Sequence, residues 1–163
     1  MPGYIDTIEN LLTDINTKEA LGDFTGSIHE ALSYVYRGGN KLLSEKILGK
    51  VSEPFRQKII DLEAAGSLPA LRREQSDFLK TLLEYCESLP SLKLTMAFIP
   101  SQEFVNKLAG WVRGELGKKV ILDTALQETI IGGCIFEYGG EHRDWSLEAK
   151  LDETLDQEIK KLI

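Results

Sequence analysis

The sequence predicts an α+β protein, in which an N-terminal helical bundle is followed by a small mixed β-sheet domain with helices. Before Pro90, apolar residues recur at steps of three and four, which is the spacing of one buried helix face. Just after Pro90 the apolar residues alternate, as they do in a half-buried strand. The change of period predicts a helical bundle domain over residues 1–90 and a mixed-sheet domain over 91–163 that ends in an amphipathic helix.

Composition excludes several classes of function. The 163 residues carry 19 Lys and Arg against 26 Asp and Glu, for a formal net charge of −7, whereas nucleic-acid binding depends on clustered cations. The N-terminus lacks the basic start and apolar run of a signal peptide, and no stretch approaches the roughly 20 apolar residues of a membrane helix. Two cysteines at this spacing indicate neither a disulfide framework nor a metal site. We therefore expect a reduced, soluble, cytoplasmic protein.

Five helices are predicted in the first half, with residues 17–21 as an optional sixth. The first carries an apolar stripe made of Tyr4, Ile5, Ile8, Leu11, Leu12 and Ile15. A polar, glycine-containing break over 22–27 precedes a second helix over about 28–36, and a short third helix over 41–48 stops at Gly49.

Two further helices complete the predicted bundle. Ser52 is a candidate N-cap of the fourth helix, with Pro54 in its first turn. The longest helix has one apolar face, made of Leu71, Phe78, Leu79, Leu82, Leu83, Cys86 and Leu89.

The second half predicts a strand, a helix and a second strand. The first strand covers about 92–99, and Pro100-Ser101 then starts a helix that Gly117 ends. The apolar stripe of this helix is Phe104, Val105, Leu108, Trp111, Val112 and Leu116. The second strand follows over 119–122, and the short connections of this crossover predict that the two strands are parallel.

A hairpin and a final helix complete the predicted domain. Residues 130–138 and 141–145 flank Gly139-Gly140, a turn in which both residues take a positive φ. The last helix has an apolar row consisting of Leu147, Leu151, Leu155, Ile159 and Leu162. Such stripes usually pack in a core, but short amphipathic helices also present grooves to partner helices, so a regulatory helix-binding adaptor remains an alternative.

The hairpin register tests the candidate catalytic residues. Cys134, His142 and Asp144 have the residue types of a nucleophile, base and orienting acid. A two-residue turn places Cys134 opposite Trp145, on the face away from His142 and Asp144. Glu137, His142 and Asp144 do share a face, which we interpret as a polar outer surface with no metal, catalytic residue or cofactor. A small cytoplasmic hydrolase-like enzyme using these three residues is the alternative.

Residues 92–155 resemble the C-terminal domain of the delta subunit of F-type ATP synthases, the homologue of the oligomycin-sensitivity-conferring protein. The resemblance lies in the order of four segments: Ala97-Phe98-Ile99-Pro100-Ser101, Gly117-Lys118-Lys119-Val120-Ile121-Leu122, Ile130-Ile131-Gly132-Gly133-Cys134-Ile135 and Asp144-Trp145-Ser146-Leu147. Trp145 replaces the glycine usual in that family, and the N-terminal half is shorter, so the chain is identified as a divergent member.

The resemblance implies a non-catalytic stator subunit, located peripherally on the inner face of an energy-coupling membrane, that supports proton-driven ATP synthesis without a cofactor. Its bundle would bind the N-terminal helices of the alpha subunit, with the stripe of the first helix as the candidate contact. Its second domain would meet the C-terminal ends of the b subunits. Gly132 and Gly133 would open the hairpin strand, while Asp144 and Ser146 would shape the hairpin exit and cap the last helix.

Overall fold

A computed structural model of the chain describes residues 5–147 and residue 149. The elements are α1 (Ile5–Leu11), α2 (Lys18–Tyr34), α3 (Leu43–Lys46), α4 (Glu53–Ala64), α5 (Arg72–Ser88), β1 (Ser91–Met96), α6 (Gln102–Leu116), β2 (Ile121–Leu126), β3 (Cys134–Tyr138) and β4 (Glu141–Asp144). The predicted α+β class is confirmed. None of the described helices is both long and apolar enough to cross a membrane.

The chain divides into two compact units. The helical unit contains the residues up to Ile15 together with Glu19–Leu89, and the sheet unit contains Asn16–Lys18 together with the residues from Pro90 onward. The sequence placed all of residues 1–90 in the first domain, whereas the short segment Asn16–Lys18 between α1 and α2 groups with the sheet.

The core of the helical unit takes residues from all five of its described helices. Its fully buried side chains include Ile8, Ile28, Leu43, Ile59 and Leu82. The rings of Phe24 and Phe55 meet edge to face with centroids 5.2 Å apart, which joins α2 to α4. The 3.6-residue period therefore identified the buried faces of most of these helices.

The predicted break over 22–27 is wrong, because α2 runs through it without interruption. Gly22 and Gly26 lie on the exposed side of the helix, while Phe24 and Ile28 are buried in the core. A helical glycine costs about 1 kcal/mol relative to alanine, and burial of those two apolar side chains offsets that cost. Tertiary packing decides this segment against its local propensity.

The first and fifth helices are shorter than predicted. After α1 ends at Leu11, turns carry the chain to Ile15, and Leu12 and Ile15 remain buried. Leu71 precedes α5 and is 63% exposed, so its assignment to the buried face is wrong. At this position the backbone is extended, which takes the side chain out of the helical register.

The predicted caps have different outcomes. Ser52 occupies the N-cap position of α4, with Pro54 in the first turn, but its side chain makes no capping hydrogen bond. Its hydroxyl lies 3.2 Å from that of Ser27 instead. Ser101 does cap α6, since its Oγ accepts a hydrogen bond from the N–H of Phe104 at 3.3 Å, and Gly117 ends that helix in the left-handed conformation with φ 62°.

The sheet has the strand order β2-β1-β3-β4. β1 and β2 are parallel, as the crossover through α6 predicted, whereas β1 pairs antiparallel with β3. One face of β1 is buried through Leu92, Leu94 and Met96. β1 ends before Phe98 and Ile99, which are exposed, and β2 begins two residues later than predicted and continues to Leu126.

The predicted hairpin register is confirmed. Ile135 pairs with Asp144, Glu137 with His142, and Tyr138 with Glu141. Gly139 and Gly140 have φ values of 59° and 85°, so both turn residues are left-handed as the Gly-Gly pair predicted.

The segment Asn16–Lys18 extends the sheet beyond β2. Thr17 forms a parallel bridge with Leu122, whose N–H donates to the carbonyl of Asn16 at 2.8 Å. The side-chain amide of Asn16 donates to Oδ1 of Asn106 at 3.0 Å, and Lys18 pairs with Asp123 at 2.8 Å. These contacts partly protect the outer edge of β2.

Candidate partner-binding surfaces

The predicted alpha-binding stripe is divided by the structure. Ile8, Leu11, Leu12 and Ile15 are buried in the core of the helical unit, so they fix α1 in place and are not available to a partner in this conformation. Ile5 is 49% exposed and continues the same stripe outward. Tyr4 lies outside the described residues.

The two glycines before β3 have different surroundings. Gly132 and Gly133 both have positive φ values, of 70° and 83°. A Cβ on Gly133 would come within 2.9 Å of the Cα of Ser146, and it would also collide with the carbonyl oxygen of Trp145. A Cβ on Gly132 would meet only the Cβ of Leu147, at 3.9 Å. Gly133 is therefore the position where the backbone after β4 passes closest to the start of β3.

Asp144 and Ser146 form the hairpin exit. The carboxylate of Asp144 accepts a hydrogen bond from the N–H of Ser146 at 2.8 Å, and Oγ of Ser146 accepts one from the N–H of Ala149 at 3.3 Å. Hydrogen bonding from Ser146, by its side chain and then its backbone, lowers the pKa of Asp144 below the usual value of 3.8, with a smaller contribution from the charge of His142. Leu147 and Ala149 are helical, so the pair stands at the beginning of a helix. The remainder of the predicted last helix, including Leu151, Leu155, Ile159 and Leu162, lies outside the described residues.

The outer face of the hairpin is polar. Glu137 and His142 face each other across β3 and β4, and Glu137 also pairs with Lys93 of β1, at 3.6 Å. Between residues 5 and 147, and at residue 149, no group of three His, Cys, Asp or Glu side chains is arranged to hold a metal ion. Cys134 pairs with Met96 and is half-buried. His29 is exposed on α2.

The opposite face of the hairpin borders an apolar groove that sequence reasoning did not identify. The groove has a volume of about 450 Å³, and its walls include Trp111 and Leu116 of α6, Phe136 and Tyr138 of β3, and Arg143 and Trp145. The sequence does contain a feature that indicates this groove: the apolar stripe of α6 is wider than a single row of buried residues. Val105, Ala109 and Val112 are buried, whereas Phe104, Trp111 and Leu116 are exposed, so half of that predicted stripe is not core.

Comparison with known proteins identifies relatives of one kind. No protein-family model matches the chain. It is 27% identical over 118 residues to the ATP synthase subunit delta, sodium ion specific, of Propionigenium modestum, which covers 72% of this chain and 67% of that protein. It is 32% identical over 88 residues to the ATP synthase subunit delta of Solidesulfovibrio magneticus, which covers 54% of this chain and 48% of that protein. The matched part thus spans about two thirds of the first relative and about half of the second.

Both relatives are named as ATP synthase delta subunits, the family that residues 92–155 resemble. At 27% and 32% identity the likeness is distant, as the sequence predicted for a divergent member. The chain is a divergent relative of ATP synthase delta subunits.

Proposed function

We propose that this chain is a non-catalytic subunit of the peripheral stalk of an F-type ATP synthase, on the inner face of an energy-coupling membrane. In this role it links the catalytic head to the membrane-anchored b subunits and supports proton-driven ATP synthesis. The supporting observation is the extent of the similarity to a delta subunit. It covers 72% of the chain, which is more than either compact unit comprises, so parts of both units match.

Attachment of each unit to a different partner would suit such a link. Two weak contacts on one chain reinforce each other, because the first holds the second at a high effective concentration. We assign the N-terminal helices of the alpha subunit to the helical unit and the C-terminal ends of the b subunits to the sheet unit. The domain limits 1–90 and 91–163 belong to this proposal.

In the helical unit, Ile5 is the best supported contact. It is the exposed member of the first stripe among the described residues, and α1 beneath it is fixed by four buried side chains. A charged substitution here would therefore affect a partner without removing a core residue. Asn10, which is exposed on the same helix, offers a matched control.

The test is to tag the chain in its native cell, purify it in mild detergent and identify the accompanying proteins by mass spectrometry. Recovery of the alpha, beta and b subunits is expected. Recovery of the chain alone, or with unrelated soluble proteins, would reject the stalk role and leave an adaptor for another helix. Ile5→Asp should reduce recovery of the alpha subunit, whereas Asn10→Asp should not.

His142→Ala separates the stalk role from an enzyme that uses Glu137, His142 and Asp144. His142 is exposed, so the variant should fold and recover the same partners. Loss of biological function in a folded His142→Ala protein that still binds its partners would favour the enzyme.

A further inference from the structure

The end of the helical unit where α2 stops combines cations with exposed apolar side chains. Arg72, at the start of α5, donates from Nη2 to the carbonyl of Gly39 at 2.6 Å and to Oδ1 of Asn40 at 3.0 Å. Lys46 of α3 donates to the carbonyl of Val35 at 3.0 Å. These bonds bring three parts of the chain to one surface. We name it the basic surface, and it consists of the cations Arg37, Lys41, Lys46, Arg72 and Arg73 and the apolar residues Tyr36, Leu42 and Leu71.

The basic surface is positive in a chain that is negative as a whole. Residues 34–46 and 71–74 contain five Lys and Arg against two Asp and Glu, whereas the other residues contain 14 against 24. Within the part of the chain that the structure describes, none of the five cations forms an ion pair with an acidic side chain, although six cations elsewhere do. The described residues therefore leave this positive charge without a direct anionic partner.

Two of these cations stand close enough to repel each other. Burial lowers the pKa of Lys46 below its usual value of 10.5, and the charge of Arg72 lowers it further, while the charge of Glu63 acts in the opposite direction. The carboxylate of Glu63 already accepts hydrogen bonds from the N–H and the hydroxyl of Ser44. Lys46 and Arg72 donate only to neutral oxygens among the described residues. An added carboxylate near both cations would therefore offset their repulsion.

Three apolar side chains lie among these cations. Tyr36, Leu42 and Leu71 are 59%, 57% and 63% exposed. The bonds of Arg72 to the loop after α2 bring Leu71 beside that loop, which Tyr36 and Leu42 flank. A small anion would leave these side chains in water, whereas a ligand with both apolar and acidic groups would complement the whole surface.

We propose that the basic surface binds an acidic amphipathic segment of another protein, whose apolar side chains meet Tyr36, Leu42 and Leu71 and whose carboxylates meet the cations. The proposal does not rest on the stalk role. The elements that form this surface also differ from α1, which carries Ile5.

The fixed positions of two cations favour a protein segment over a lipid surface. Arg72 and Lys46 are held by hydrogen bonds to backbone carbonyls, so their positions are set before a partner arrives. Fixed donors suit carboxylates at a regular spacing along a peptide, because charge-assisted bonds of this kind are directional. A fluid anionic bilayer attracts mobile cations equally well, and the excess of ten negative charges on the rest of the chain would oppose its approach.

The probe is a synthetic amphipathic helix of about 16 residues, a length at which helices form in water. It has leucine along one face and glutamate on the others, and a control peptide has lysine in place of glutamate. Fluorescence anisotropy with the full chain should show binding of the acidic peptide alone, weakened about tenfold when salt rises from about 50 to 300 mM. Equal binding of the two peptides, or no binding of the acidic one, would overturn the proposal.

Paired substitutions locate the binding. Lys41→Gln combined with Arg73→Gln removes two exposed cations of the basic surface, and Lys80→Gln combined with Arg113→Gln removes the same charge from exposed helical positions elsewhere. The first pair should weaken binding of the acidic peptide about fivefold, and the second should leave it unchanged. Circular dichroism checks that both variants fold. Equal effects of the two pairs would show that net charge, and not this surface, attracts the peptide, which would overturn the proposal.

Leu42→Ser combined with Leu71→Ser tests the apolar part of the surface. Both side chains are exposed, so the variant should fold. It should bind the acidic peptide more weakly than the unaltered protein does, with the same dependence on salt, because no charge is removed. Unchanged affinity would show that the surface recognises charge alone and would contradict an amphipathic ligand.

Other occupants are separate outcomes of the same comparison. Sedimentation with vesicles of phosphatidylcholine and phosphatidylglycerol, and anisotropy with single-stranded DNA, are measured with the full chain and the Lys41→Gln, Arg73→Gln pair. Tighter binding of either ligand than of the acidic peptide, lost in this pair, would assign the surface to a membrane or a nucleic acid and overturn the proposal. Self-association lost in this pair would overturn it in favour of a second copy. No other ATP synthase subunit is present, so these results are independent of the proposed function.

Discussion

The rings of Phe136 and Trp145 meet edge to face, with centroids 4.8 Å apart and planes inclined at 68°. The resemblance to ATP synthase delta subunits led us to expect glycine at the position of Trp145. No non-glycine residue between 5 and 147 has a positive φ, so this backbone does not require glycine at that position. The N–H of Trp145 instead donates to the carbonyl of Cys134 at 2.9 Å, which holds the ring over β3.

Trp145→Gly should therefore destabilise the protein, although glycine is the residue that the resemblance predicts at this position. The change removes the ring contact and frees the backbone in the unfolded state, for a loss of about 2 kcal/mol. Urea unfolding followed by far-ultraviolet circular dichroism measures it. Trp145→Phe keeps an aromatic ring and should lose less than half as much. A glycine variant as stable as the unaltered protein would contradict the structural role of the ring.

Gly133→Ala should cost more than Gly132→Ala. Both positions have a positive φ, which costs an alanine about 1–2 kcal/mol. Only at Gly133 does the new Cβ collide with the backbone of Trp145 and Ser146, so about 2 kcal/mol or more is added there, and Gly133→Val should be worse still. Chemical denaturation of the two alanine variants side by side provides the comparison, and equal losses would show that the close approach relaxes without cost.

Ser101→Ala should destabilise the protein by about 1 kcal/mol, the usual effect of losing a capping hydroxyl. Ser101 accepts the N–H of Phe104, whereas Ser52 is at an N-cap but makes no such bond. Ser52→Ala should therefore cost less, since the Ser27 hydroxyl still donates to the carbonyl of Asp23 at 2.9 Å. Thermal unfolding of both variants tests the order, and a larger loss for Ser52→Ala would contradict it.

The hairpin exit should respond to acid through Asp144. Its pKa is lowered in the folded protein, so the charged form contributes stability above the usual pKa of 3.8, and that contribution is lost as pH falls through the lower folded value. The amide resonance of Ser146, which donates to this carboxylate, should titrate with a midpoint below 3.8. A midpoint at or above that value, or the same titration in Asp144→Asn, would show that the contact does not form in solution.

Local sequence determined much of this protein. The change of period after Pro90 located the start of the sheet, and the short crossover predicted the parallel pairing of β1 and β2. The Gly-Gly turn determined the hairpin register. A two-residue turn fixes which residues of the two strands pair, and this pairing fixes which side chains share a face of the sheet. Ser101 and Gly117 marked the ends of α6. These features depend on residues that are close together in the chain, so the local sequence pattern was sufficient to predict them.

Tertiary structure decided the remainder. Burial of Phe24 and Ile28 keeps α2 continuous through two glycines, and the position of the sheet determines which half of the α6 stripe is covered. Packing also buries most of the apolar stripe of the first helix, so these residues are not available as a contact surface. It leaves Trp111 and Trp145 exposed along the groove. The side chain of Asn16 donates a hydrogen bond to that of Asn106, which lies 90 positions away in the sequence. Such contacts join residues distant in the chain, and periodicity identifies an apolar face without specifying what covers it.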